Sequence, residues 1–263
     1  MFDSGVGGLT VLHECLVSLP EEDFVYLGDT DWFPYGTRDP QSLRDRIAAI
    51  SELLLGEDAA KLLVIACNTA TSIGADVARE VASAHGVEVV PVVEPQAEIA
   101  AAITDSGKVG VLATPNTVES GAYRRALEVQ GRALEVTEVA APELAPFIQN
   151  DKTFDEAVVR MAREYCAPLR EARVDTLILG CTHYPLVAPM LQRILGRDVR
   201  LVSGGHAVAA AVQRTLASAD IARGRDGEGD YRFLCTGDVE SFRELGTRFL
   251  QMPLGGVERI AVA

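Results

Sequence analysis

A chain of 263 residues that is 48% hydrophobic can bury a full core, and its length suits one large domain or two smaller ones. A formal net charge of −14 argues against nucleic acid or an anionic membrane surface as partner, because both reward Lys and Arg over Asp and Glu. With no basic leader ahead of an apolar stretch, and no apolar run near the ~18 residues of a membrane span, the expectation is a cytoplasmic protein with a small-molecule partner.

In chain order, Asp3-Ser4-Gly5-Val6-Gly7-Gly8 reads as a strand-to-helix turn that lacks the lysine and hydroxyl of a phosphate-binding loop. Phe24–Leu27 reads as a strand, and Tyr35-Gly36 after Pro34 as a turn. Asp39-Pro40 then places a capping residue and an N1 proline ahead of Leu43, Ile47, Ile50 and Leu54, which share one face of a surface helix ending at Gly56. Leu62–Ala66, Val87–Val93 and Val109–Ala113 are strand candidates. Thr153 to Glu156 forms a capping-box pattern before Val158, Met161, Tyr165 and Leu169 at helical spacing. Thr176–Leu179, Val199–Val202 and Tyr231–Leu234 follow as strands, the last after an exposed glycine- and charge-rich loop from Ala222 to Asp230. Strands alternating with amphipathic helices predict an α/β protein with mainly parallel sheets.

Five cysteines at irregular spacings do not make a secreted disulfide framework, so each thiol needs its own explanation. Cys15, Cys166 and Cys235 read as small core residues, and His13, His85 and His206 as structural. Cys67 and Cys181 stand apart, because Lys61 to Ala70 and Asp175 to Tyr184 share one plan: a polar start, a mostly apolar run, then cysteine and polar residues. Ligands of open α/β sheets bind outside the carboxyl ends of strands, so each cysteine should sit at a half-site beside a helix N-terminus. Two thiols facing one ligand from opposite sides suit inversion of an amino acid at Cα, where one group removes a proton and another returns one to the opposite face. A helix end is expected to lower each thiol's pKa toward neutral for that task. A cofactor is not expected. Pyridoxal phosphate needs a Schiff-base lysine, whereas the chain has only Lys61, Lys108 and Lys152, the first two at strand beginnings. Tight metal-ligand spacing is absent, so no metal is expected.

Phe2 to Thr10, Tyr26 to Thr30, Pro34-Tyr35-Gly36, Ala66 to Ala70 and Gly180 to Pro185 follow one another as the signature segments of glutamate racemases, and over nearly its whole length the chain resembles that family. The resemblance implies two similar parallel-sheet α/β domains related by pseudo-symmetry with the active site between them: residues 1–93 with 207–263, and residues 94–206. It implies cofactor-independent conversion of L-glutamate to D-glutamate for peptidoglycan synthesis, with Cys67 and Cys181 as catalytic acid and base and a homodimer as one possible assembly. Asp3, Ser4, Tyr35, Gly36, Asn68, Thr69, Thr182 and His183 match the family's substrate contacts, and Thr114 and Thr117 match further threonine contacts. Asp3 would meet the substrate ammonium, and Asp3 and His183 would each tune one thiol. Two departures stand out. The first strand is short before Phe2-Asp3, which would leave Asp3 weakly anchored unless residues precede Met1, and Gln149 stands where many relatives have glutamate.

Two other functions fit less well. A racemase for aspartate or another acidic amino acid would tend to carry an acidic residue after the second Cys-Thr, where this chain has His183. A thiol redox or small-ligand-binding protein would not require matched half-sites.

Overall fold

The alternating runs fold into two sheets in a computed structural model that describes residues 1–56, 59–150, 155–224 and 227–262. The chain begins β1 (Phe2–Asp3), α1 (Leu9–Ser18), β2 (Phe24–Gly28), α2 (Pro40–Gly56), β3 (Leu62–Ile65), α3 (Asn68–Ala84), β4 (Glu88–Pro91) and α4 (Val93–Ile103). It continues with β5 (Lys108–Ala113), α5 (Pro115–Glu119), α6 (Ala122–Glu128), β6 (Glu135–Ala140), α7 (Leu144–Gln149), α8 (Glu156–Glu171), β7 (Thr176–Gly180), α9 (Ala188–Leu195) and β8 (Arg200–Val202). Last come α10 (Gly204–Ser218), β9 (Tyr231–Cys235), α11 (Val239–Leu250) and β10 (Val257–Arg259). One sheet has the order β10-β9-β2-β1-β3-β4 and the other β6-β5-β7-β8. Every pairing is parallel, so each connection must cross over and the carboxyl ends of a sheet share one edge. That edge collects Asp3 and Cys67 from the first sheet and Thr114 and Cys181 from the second.

Leu43, Ile47, Ile50 and Leu54 of α2 pack with Leu63 and Ile65 on one face of the first sheet, which is why their helical spacing was legible. A second apolar cluster runs from Leu9 and Leu12 of α1 through Val92 and Ala97 to Val111 and Ile178, so the two sheets share a core. All seven expected strands are present. The apolar run 87–93 was read too long, because Val93 already starts α4. β6 and β10 were not expected: each is an edge strand of mixed polarity, and β10 is three residues long. Thr153 lies outside the described residues, as do residues 225 and 226 of the glycine-rich loop. Asp155 is the residue that caps α8, accepting from the Ala157 N–H at 2.9 Å.

β1 has only two residues, as the sequence suggested, but Asp3 is not weakly held. Phe2 pairs with Leu27 on one side and Ile65 on the other, and the Asp29 N–H donates to the Asp3 carbonyl at 2.9 Å. A central parallel strand is fixed from both flanks, so its length matters less than its neighbours.

Candidate active site

The first half-site forms where β1 and β3 end. Cys67 is the N-cap of α3, with extended backbone, and its Sγ accepts the Ala70 N–H at 3.4 Å. Asp3 is fully buried; its carboxylate accepts the Gly5 N–H at 3.1 Å and the Thr182 hydroxyl at 3.3 Å. The second of these bonds reaches across from the other half. Gly7 permits that approach, since a Cβ there would overlap Thr182 Oγ1 and the His183 ring.

The second half-site follows β7. Cys181 is not the cap of a regular helix as expected: a 3-10 turn over Tyr184–Val187, with the Tyr184 N–H on the Cys181 carbonyl at 3.1 Å, intervenes before α9. Pro185 at the start of that turn removes a donor and shapes the tighter winding. His183 Nδ1 lies 3.8 Å from Cys181 Sγ, and His183 Nε2 lies 2.9 Å from Gln149 Oε1. Gln149, one of the departures from the family pattern, thus lies beside His183. It was found in sequence only by comparison with the family pattern, since an isolated Gln at the end of a short helix carries no signal of its own.

The two halves meet at one small cavity of about 20 Å³, lined by both Cys67 and Cys181. Of the other residues singled out in the sequence, Ser4, Tyr35, Gly36, Asn68, Thr69, Thr114, Thr182 and His183 also line it, whereas Asp3 and Thr117 lie one layer behind. Thr69, Thr114 and Thr117 form a triangle of hydroxyls, with Thr114 2.9 Å from Thr69 and 3.0 Å from Thr117. The Tyr35 hydroxyl is already engaged, donating to Asp29 Oδ2 at 2.5 Å. Gly36 is a steric necessity, because a Cβ there would come 2.6 Å from Thr114 Cβ.

Sequence reading missed the supports behind this lining. Asp29 takes a bidentate bond from Arg46 at 2.9 and 2.7 Å and the Thr236 hydroxyl at 2.9 Å, which pins Tyr35 from beneath. Asn116 of α5 donates to the carbonyls of Tyr35 at 3.0 Å and Arg38 at 2.8 Å. Arg46 lies on the apolar face of α2 and gave a signal in hindsight, since a cation among buried positions demands a partner. Asn116 gave none. Lys61 and Lys108 lie at strand beginnings, paired with Glu22 and Glu135, and the structure does not bring them to the cavity.

The electrostatics correct one expectation. Burial pushes the Cys67 thiol up to about 12, the neighbouring Asp3 charge adds to this, and the N–H groups of Ala70 and Ser4 oppose it without winning. Burial likewise raises Cys181, against donors from His183 and Tyr184. Burial also raises Asp3 above the usual carboxylate range. Burial lowers His183 to about 3, and the rings of Phe33 and Phe249 beside it supply the apolar surroundings. The enclosed site thus holds two neutral thiols and a neutral imidazole: one turn's worth of helix dipole does not outweigh full desolvation. The same burial raises Cys15 to about 12 and Cys166 to about 11, so no thiolate excess marks Cys67.

Chemically, each thiol has its own polar neighbour, Asp3 beside Cys67 and His183 Nδ1 beside Cys181, and both thiols reach one small space. Such a pair can remove a proton from one face of a bound carbon and deliver one to the other.

Residues 11–212 match the family model described as Asp/Glu/Hydantoin racemase. A glutamate racemase of Geobacter metallireducens is 39% identical over 262 residues, covering 100% of this chain and 96% of that protein. Among solved structures, a glutamate racemase isoform of Bacillus anthracis superposes with a TM-score of 0.93 at 34% identity, over 99% of this chain and 96% of that one. A Francisella tularensis glutamate racemase in complex with D-glutamate gives a TM-score of 0.92 at 30% identity, over 99% and 96% of the two chains. With a family model spanning most of its length and full-length relatives well above 30% identity, the chain belongs to the Asp/Glu/Hydantoin racemase family, among its glutamate racemases.

Proposed function

We propose that this protein interconverts L- and D-glutamate without a cofactor, using Cys67 and Cys181 as the two proton-transfer groups, and so supplies D-glutamate for peptidoglycan in the cytoplasm. The observation that carries the reading is that two thiols from different sheets line one cavity, Cys67 beside Asp3 and Cys181 beside His183. In one direction Cys67 works as thiolate and takes the Cα proton, and the S–H of Cys181 delivers its proton to the opposite face; the reverse reaction exchanges the roles. The α-carboxylate and side-chain carboxylate are held by hydroxyls and backbone N–H groups, with the Thr69, Thr114 and Thr117 triangle suited to one of them and Ser4 and Thr182 to the other. Residues 1–93 with 207–263 form the lobe of Cys67 and residues 94–206 the lobe of Cys181.

The test is racemisation followed by circular dichroism in heavy water. Deuterium should enter Cα of the newly formed enantiomer first, and Cys67→Ser or Cys181→Ser should each lower the rate by orders of magnitude, because a hydroxyl is a far weaker acid and base than a thiol. Near-normal racemisation by either variant, or equal early labelling of both enantiomers, would remove the two-thiol mechanism.

A further inference from the structure

Beneath the cavity lies a buried polar cluster that belongs to neither thiol. Gln96 of α4 is fully buried, and its Nε2 donates to the carbonyls of Leu179 at 3.2 Å and Val202 at 3.3 Å, the last residues but one or the last of β7 and β8. Its Oε1 receives the Asn68 amide nitrogen at 2.8 Å and the Tyr123 hydroxyl at 2.5 Å, and that hydroxyl in turn accepts from Asn68 Nδ2 at 2.7 Å.

Carbonyl oxygens only accept, so the side of Gln96 that faces Leu179 and Val202 must be its NH2. Its Oε1 must then point at Asn68, which leaves Asn68 no choice but to present its own NH2. Both amide protons of Asn68 are consumed in this way, one by Gln96 and one by Tyr123. No hydrogen bond to Asn68 Oδ1 is formed among the described residues, and Asn68 lines the cavity. Two main-chain carbonyls of the second sheet thus determine which end of an amide on the first half-site meets a ligand.

We propose that Gln96 is a positioning residue: by locking the Asn68 amide to the strands beneath Cys181, it presents Asn68 Oδ1 as a pure acceptor for the ammonium group of the bound amino acid. This rests on the amino-acid racemase reading with glutamate as ligand. Without Gln96, Asn68 is free to turn its NH2 toward the cavity, where it would repel the ammonium while remaining harmless to a carboxylate. The lock also ties the residue after Cys67 to the strand that leads into Cys181, which fixes the two half-sites relative to each other.

The experiment compares a ligand with the ammonium group and one without it. Gln96→Leu should raise KM for glutamate about tenfold with kcat nearly unchanged, since a contact made equally in ground and transition states appears in KM. Its Ki for glutarate, which keeps both carboxylates and lacks the ammonium, should move less than about twofold. Tyr123→Phe removes one acceptor while leaving Gln96 in place, and should show the same selective loss at smaller size, guarding against a Gln96→Leu protein that fails to fold. In 15N-labelled unaltered protein the Asn68 side-chain NH2 should be protected from hydrogen exchange, and Tyr123→Phe should reduce that protection. Equal weakening of glutamate and glutarate, no change in either, or an unprotected Asn68 amide would overturn the assignment. If the unaltered enzyme fails to racemise glutamate, the glutamate reading falls, and aspartate with succinate then makes the same comparison for Gln96.

Discussion

At the scale of single residues the site is governed by desolvation. Thiols capped by N–H groups remain neutral because burial costs the charged form more than the donors return. The base must be a thiolate, and a group whose pKa lies above the working pH gains thiolate as pH rises. The value of kcat/KM for glutamate should therefore climb between about pH 6 and pH 8, approaching tenfold per unit, and an optimum at or below about pH 6 would contradict the assignment. His183 offers a separate check. It is held near 3 by its apolar surroundings, with only the neutral Gln149 amide on Nε2. Gln149→Glu would put a carboxylate 2.9 Å away, so the His183 pKa followed by NMR should rise by about 1–3 units; an unchanged titration would mean the carboxylate itself takes up the proton.

At the scale of elements, what positions the lining is a set of bonds between helices and the loops beside them. The pair Arg46 on α2 and Asp29 after β2 is almost wholly buried, with side-chain exposures of 8% and 0%. Arg46 also stacks over Trp32, 4.9 Å from its ring, as Arg38 does from 4.9 Å. Removing one partner leaves a buried charge uncompensated, so Arg46→Ala should cost about 3–5 kcal/mol in urea unfolding and release Tyr35 from Asn116 and the cavity. A loss below about 1 kcal/mol would show that water reaches Asp29. The sequence showed α2 as an amphipathic helix but not the role of Arg46 on its buried face; the neighbouring loop supplies the carboxylate that pairs with it.

At the scale of the whole molecule, the 33–38 loop contributes Phe33, Pro34, Tyr35 and Gly36 to the cavity wall, so how firmly that loop is held bears on how an amino acid is admitted. Asn116 fastens that loop to α5 through two carbonyls. Asn116→Ala should therefore speed amide exchange across residues 33–38 about tenfold and raise KM for glutamate, and unchanged exchange would place the opening elsewhere. None of the helices among the described residues is long and apolar enough to cross a membrane.

The sequence by itself determined the α/β class, the seven main strands and the pairing of Cys67 with Cys181, because hydrophobic period and a repeated strand-Cys-polar plan are local properties of the chain. Glycines at 7 and 36 were legible as turns, but their reason, the close approach of Thr182, His183 and Thr114, involves residues far away in the chain. Only the tertiary structure decided the protonation of the thiols, since helix capping is written locally whereas desolvation depends on everything packed around the site. It likewise decided the partners of Gln149, Arg46, Asn116 and Gln96, because a hydrogen bond across 17 to 106 residues leaves no periodicity to read.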